Sequence, residues 1–127
     1  MIVTQSDFDT MVFDLLERGN DDWCTDTEVF SVVIEYFGQG EYQNQTKIVM
    51  RILEIVLTNS YMAAGYYDNA VGFIPWKEDC AAILQKVEKE LSVRESIPVF
   101  GEVFWVAITP KGKEKYKAAV LLKPMHN

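Results

Sequence analysis

Val103-Phe104-Trp105-Val106-Ala107-Ile108-Thr109-Pro110 is the stretch that decides the fold. Val103, Trp105 and Ala107 alternate with Phe104, Val106 and Ile108, which is the period of a strand. Both sets are apolar, so the strand reads as covered on both faces. Thr109 then offers a capping hydroxyl and Pro110 suits the first helical position. Lys111–Leu121 follows as a short, basic final helix. The rest of the chain must supply what packs against this strand.

Upstream the pattern is helical. Ser6 with Asp9 reads as a capping box, and Phe8, Met11, Val12, Leu15 and Leu16 recur at helical spacing. Gly19 is expected to stop this helix, with Asn20-Asp21-Asp22 as the turn. Thr25 with Glu28 repeats the capping signal. Val29, Val32, Val33, Tyr36 and Phe37 line a second helix that Gly38 and Gly40 end. Gln43-Asn44-Gln45 opens a third helix, in which Ile48, Val49, Ile52, Leu53, Val56 and Leu57 cover most of the circumference, so it reads as central. Tyr61–Tyr67 either continues that helix or begins a strand. Asp68-Asn69 reads as a turn, Val71–Ile74 as a short extended piece ended by Pro75, and Cys80–Leu91 as a fourth helix. Proline at 98 marks a loop. The class is α+β, mainly helical, with a small antiparallel sheet.

Size and charge narrow the partners. At 127 residues, 49% of them hydrophobic, the chain reads as one domain spanning 1–127 with ample material for a core. Residues 1–41 hold ten carboxylates and one base, Arg18, a net of −9, whereas residues 42–127 net +2. The total of −7 lacks the global signature of a nucleic-acid module. Cys24 and Cys80 stand far apart with no CxxC, which suits free thiols in a reducing compartment. There is no basic region followed by an apolar run at the N-terminus, and the longest apolar run, Ile48–Leu57, is broken by Arg51 and Glu54. A cytoplasmic protein without a membrane span is the expectation.

Two resemblances bear on this pattern. Three helices followed by extended segments and Ala107-Ile108-Thr109-Pro110-Lys111-Gly112-Lys113 resemble winged-helix proteins, in which a wing strand ends in such a segment and runs into a helix. The resemblance implies a helical triad over residues 6–58, a wing strand at Val103–Ile108, and an extra helix inserted at about 77–92. Gly72-Phe73-Ile74-Pro75-Trp76, the helix after it, and Gly101-Glu102-Val103-Phe104-Trp105 are similar to segments of small acidic bacterial proteins. Some of these look like immunity proteins of polymorphic or contact-dependent toxin systems.

Two functions follow as expectations. The first is an acidic module that binds and neutralises a basic protein, such as a nuclease toxin, with Asp7, Asp14, Glu17, Asp21, Asp22, Asp26, Glu28 and Glu35 steering the encounter. Trp23, inside the acidic turn, would be its aromatic anchor. The competing reading makes these carboxylates solvated helix faces and caps, and Trp23 a core ring. The second function is a winged-helix regulator whose third helix reads bases with Gln43, Asn44, Gln45, Lys47 and Arg51, while Lys111, Lys113, Lys115 and Lys117 touch phosphates. The apolar circumference of that helix counts against it. Catalysis is not expected. His126 is the lone histidine, no metal or cofactor motif is present, and Cys24 between Asp22 and Asp26 is a poor thiolate. Phe100, Phe104, Trp105, Trp76, Tyr61, Tyr66 and Tyr67 exceed the obvious needs of a small core. Some would line a homodimer face or a partner groove, with Trp76 and Trp105 packed together inside.

Overall fold

The computed structural model describes residues 2–122. The elements run α1 (Gln5–Asp21), β1 (Cys24–Thr25), α2 (Asp26–Phe37), α3 (Tyr42–Thr58), β2 (Met62–Asp68), β3 (Gly72–Pro75), α4 (Cys80–Ser92), β4 (Trp105–Ile108) and α5 (Pro110–Leu122). The fold is α+β and mainly helical. Its one sheet has the order β1-β4-β2-β3, every pairing antiparallel.

The core lies between the helices and one face of the sheet. Met11, Leu15 and Leu16 of α1, Val29, Phe30, Val32 and Val33 of α2, and Val49, Ile52, Leu53 and Val56 of α3 are buried together with Met62, Ala64, Phe104 and Val106. Full burial of side chains this size is worth about 1.5–3 kcal/mol each before entropy is set against it. Helix α3 is central, as its apolar circumference requires. It packs on α1, α2, α4 and β2.

Two local readings change. Helix α1 starts earlier than expected. Thr4 Oγ1 accepts from the Asp7 N–H and Asp7 Oδ2 accepts from the Thr4 N–H, a capping box one pair upstream of Ser6 and Asp9. Gly19 does not stop the helix either, since α1 runs on to Asp21. The glycine is buried because the sheet crosses there: a Cβ at Gly19 would stand 2.8 Å from the Met62 methyl and 3.5 Å from Ile108 Cβ. Helix α2 begins with the expected box of Thr25 and Glu28, and ends where Gly38 takes a φ of +86°.

The segment after α3 is a strand. β2 and β3 form a hairpin whose turn is held by Asp68 Oδ1, the acceptor for the Ala70 and Val71 N–H groups. Helix α4 starts at Cys80, where Asp79 caps it through the Ala82 N–H. The last strand is shorter than its alternation suggests. Its ladder covers only residues 105–108, because the Val103 and Phe104 N–H groups are taken by a side chain, Asp26. Thr109 caps α5 as expected, accepting from the Gly112 N–H. No helix among the described residues is long and apolar enough to cross a membrane.

Candidate functional site

A run of five aromatic rings lies on the side of the sheet away from the core. Phe73, Trp23, Tyr67, Trp105 and Phe100 follow one another at ring-centroid spacings of 6.3, 6.2, 5.2 and 5.6 Å. Strand register explains the middle of the run. Trp105 pairs with Gly65, and Tyr67 stands two residues along β2 on the same face, so the two rings stack. Tyr67 in turn pairs with Phe73 across the hairpin. Backbone glycines make room for both tryptophans. A Cβ at Gly72 would stand 2.6 Å from the Trp23 ring, and one at Gly101 would stand 2.1 Å from Trp105 Nε1. Both glycines also hold a positive φ, +97° and +80°. Trp23 is 41% exposed and Tyr67 44%, so part of each ring meets solvent.

Trp23 is therefore no core residue. Trp76 and Trp105, expected to pack together, have different neighbours. The Trp76 ring lies under the Lys86 ammonium, 4.4 Å from its centroid, while Trp105 sits between Tyr67 and Phe100. Of the aromatic excess, Tyr67, Trp105 and Phe100 join the run on the sheet, whereas Phe104 is buried in the core.

The nine residues expected to meet a partner divide. Asp21, Asp22 and Trp23 lie together at the exposed turn after α1, beside a shallow hollow that Gly19, Ala107, Ile108 and Lys113 complete. Among the described residues, Asp22 Oδ1 accepts from the Trp23 N–H alone, 2.7 Å away. The others are engaged within the fold. Asp7 caps α1 and accepts from the Tyr36 hydroxyl at 2.6 Å; that bond, with the Thr4 contacts, holds its carboxyl below the usual aspartate range. Asp14 and Glu35 both pair with Arg18, tying α1 to α2. Glu17 accepts from the Tyr116 hydroxyl of α5 at 3.3 Å, and Glu28 completes its capping box.

Asp26 departs furthest from its expected role. It is 0% exposed and presents nothing to a partner. Its Oδ1 accepts from the Thr27 and Gly101 N–H groups at 2.7 Å each, and its Oδ2 from Val103 at 2.8 Å and Phe104 at 3.3 Å. Its own N–H donates to the Phe104 carbonyl at 3.1 Å. Four donors satisfy a buried carboxylate that would otherwise be costly to desolvate. Thr27 adds to the seam: its Oγ1 accepts from the Phe100 N–H at 2.8 Å and donates to the Pro98 carbonyl at 2.9 Å.

The groups considered for chemistry and for base reading are placed otherwise. Cys24 is buried, and loss of hydration, followed by the Glu28 charge, pushes its thiol up to about 12. No cluster of three or more metal-ligating side chains occurs among the described residues, and His126 lies outside them. On α3, Gln45 is buried, Arg51 pairs with Glu54 of its own helix, and α4 packs alongside. Of the terminal lysines, Lys111 and Lys115 lie 5.8 and 5.9 Å from the Tyr61 ring centroid.

Sequence reasoning marked a loop at Pro98 but did not foresee the seam that Asp26 makes with residues 101–104. Its one visible signal was Gly101 following an apolar Val99-Phe100 pair. No family model, no curated protein and no solved structure matches this chain.

Proposed function

We propose that this protein binds a basic protein and neutralises it, in the manner of an immunity protein set against a toxin. One observation carries the reading. Asp21 and Asp22 face solvent directly beside a half-exposed tryptophan that belongs to a run of contacting aromatic rings. Carboxylates of this kind speed encounter with a basic surface, and aromatic rings supply the area that holds it once docked. A nuclease is a fitting target class, because a protein that grips phosphate chains is basic where it must be blocked. Free Cys24 and Cys80 agree with a cytoplasmic setting.

The DNA reading has less support. The order of α1, β1, α2, α3, β2 and β4, with β1 joined to β4 and β4 to β2, is compatible with a winged-helix relative carrying β3 and α4 as an insertion. A helix that reads bases must enter a groove, and α3 is packed on four neighbours with Gln45 buried.

The test is affinity capture from nuclease-treated native lysate at low salt, with wild type run against an Asp21→Lys, Asp22→Lys double variant of unchanged circular dichroism. A basic protein recovered in stoichiometric amount by wild type alone, and rebinding as purified material, is expected. Equal recovery by both chains, or no rebinding, overturns the reading.

A further inference from the structure

Phe100 is, with Ser60, one of two non-glycine residues that hold a positive φ among the described residues. Its φ is +42°, a region that L side chains rarely adopt, yet its ring is 73% exposed. Burial of the side chain therefore does not offset the strain. Val99 beside it is 68% exposed. The backbone N–H groups of this tip, residues 99–104, are all engaged. Phe100 N–H goes to Thr27 Oγ1, Gly101 N–H to Asp26 Oδ1, and Val103 and Phe104 N–H to Asp26 Oδ2. Val99 N–H goes to Glu102 Oε1 at 2.8 Å, and Glu102 is steadied by Arg94 at 3.3 Å. Strain persists only where surrounding contacts over-determine it, and such places cluster at ligand clamps.

We infer that Val99 and Phe100 are a second, preorganised apolar anchor of the binding face. Asp26 and Thr27 are its positioning residues. The occupant is a basic protein segment that sets an apolar side chain against Phe100 and lays arginine or lysine side chains along the rings towards Asp21 and Asp22. The inference rests on the binding reading above and adds the end of the face that holds no unpaired carboxylate.

Charge complementarity selects this occupant. Trp105 and Tyr67 lie between the Phe100 and Trp23 anchors, and the exposed parts of Tyr67 and Trp23 offer aromatic surface that a guanidinium can approach, with two solvent-facing aspartates beside Trp23. A second copy of this chain fits poorly. A twofold contact through the same face would bring Asp21, Asp22 and Glu102 towards their own copies, in a chain of net charge −7. A locked loop also reduces the ordering cost of binding.

The test uses the full chain, with the three indole N–H resonances assigned through Trp→Phe variants. Trp23 and Trp105 report on the face, and Trp76, beside Lys86, is the internal control. The probes are two short peptides, one alternating leucine with arginine and one alternating leucine with glutamate. The arginine peptide is expected to shift Trp23 and Trp105 but not Trp76, and the glutamate peptide none of them. Phe100→Gly should weaken that binding by about tenfold or more without lowering the melting temperature, because glycine adopts this φ freely. Thr27→Val, which frees the loop but keeps the ring, should also weaken it, and Thr27→Ser should restore it. Unchanged affinity in Phe100→Gly, with binding lost in the Asp21→Lys, Asp22→Lys variant, overturns the inference and leaves the binding reading standing. No Trp105 shift at millimolar arginine peptide, or equal shifts with the glutamate peptide, overturns the inference. Concentration-dependent Trp105 shifts without peptide also overturn it, in favour of a second copy.

Discussion

The Trp23 side and the Phe100 end of the ring run use carboxylates in opposite ways. At the α1 turn, Asp21 and Asp22 point into solvent and bind little of the fold. At the loop of residues 98–104 the organising carboxylate, Asp26, is fully enclosed and satisfied by four backbone donors. The first arrangement leaves charge free to act at a distance, while the second spends it on holding a backbone still. Residues of the same type, four to five positions apart in the chain, thus serve recognition and architecture separately. The difference is set by burial rather than by local sequence.

The contrast can be broken most forcefully at Asp26. Asp26→Asn keeps the shape but removes an acceptor from a buried seam, and should cost about 3 kcal/mol, read as a lower urea midpoint. If instead stability is unchanged, the loop does not depend on this carboxylate. Gly101→Ala comes next. A methyl at φ +80°, 2.1 Å from Trp105 Nε1, should cost about 2 kcal/mol and shift the Trp105 indole signal while leaving that of Trp76 in place.

A smaller effect is expected from pH. The Val99 N–H, aided by Arg94, holds the Glu102 carboxyl below its ordinary 4.5. A carboxyl lowered in the folded state contributes stability that is complete above 4.5 and is lost as pH falls through its lower folded value. Acidification should therefore loosen the Val99–Phe100 tip, seen as a titrating Val99 amide shift, and Glu102→Gln should abolish that titration. The smallest effect on stability belongs to Asp21→Lys with Asp22→Lys, within about 0.5 kcal/mol, although the same pair should abolish capture of a basic partner. A large loss of stability in that variant would erase the distinction between the Trp23 side and the Phe100 end.

Much of the architecture was legible because its signals are local. Thr25 with Glu28 and Thr109 with Pro110 each start a helix through bonds made within three residues. The apolar circumference of α3 announced its central place. What escaped depends on partners remote in sequence. Gly19 looks like a helix stop, yet its environment is Met62 and Ile108. Asp26 looks like one more acid of the front end, but three of the four N–H groups that fill its acceptors lie 75 to 78 positions away. Trp23 carried both a core and a surface reading, and its exposure follows from a hairpin that folds alongside it rather than over it.

The seam between Asp26 and Phe104 also governs how the chain comes to its native state. Contacts between residues 78 apart close a long loop, and that entropy is lost before the contacts give anything back. The three helices before residue 60 can associate through nearer neighbours first, so β1, β4 and the Phe100 tip are expected to assemble last. Mutations at Asp26 should then speed unfolding and leave the refolding rate almost untouched, a φ-value close to zero. A value near one would place the seam in the folding nucleus instead.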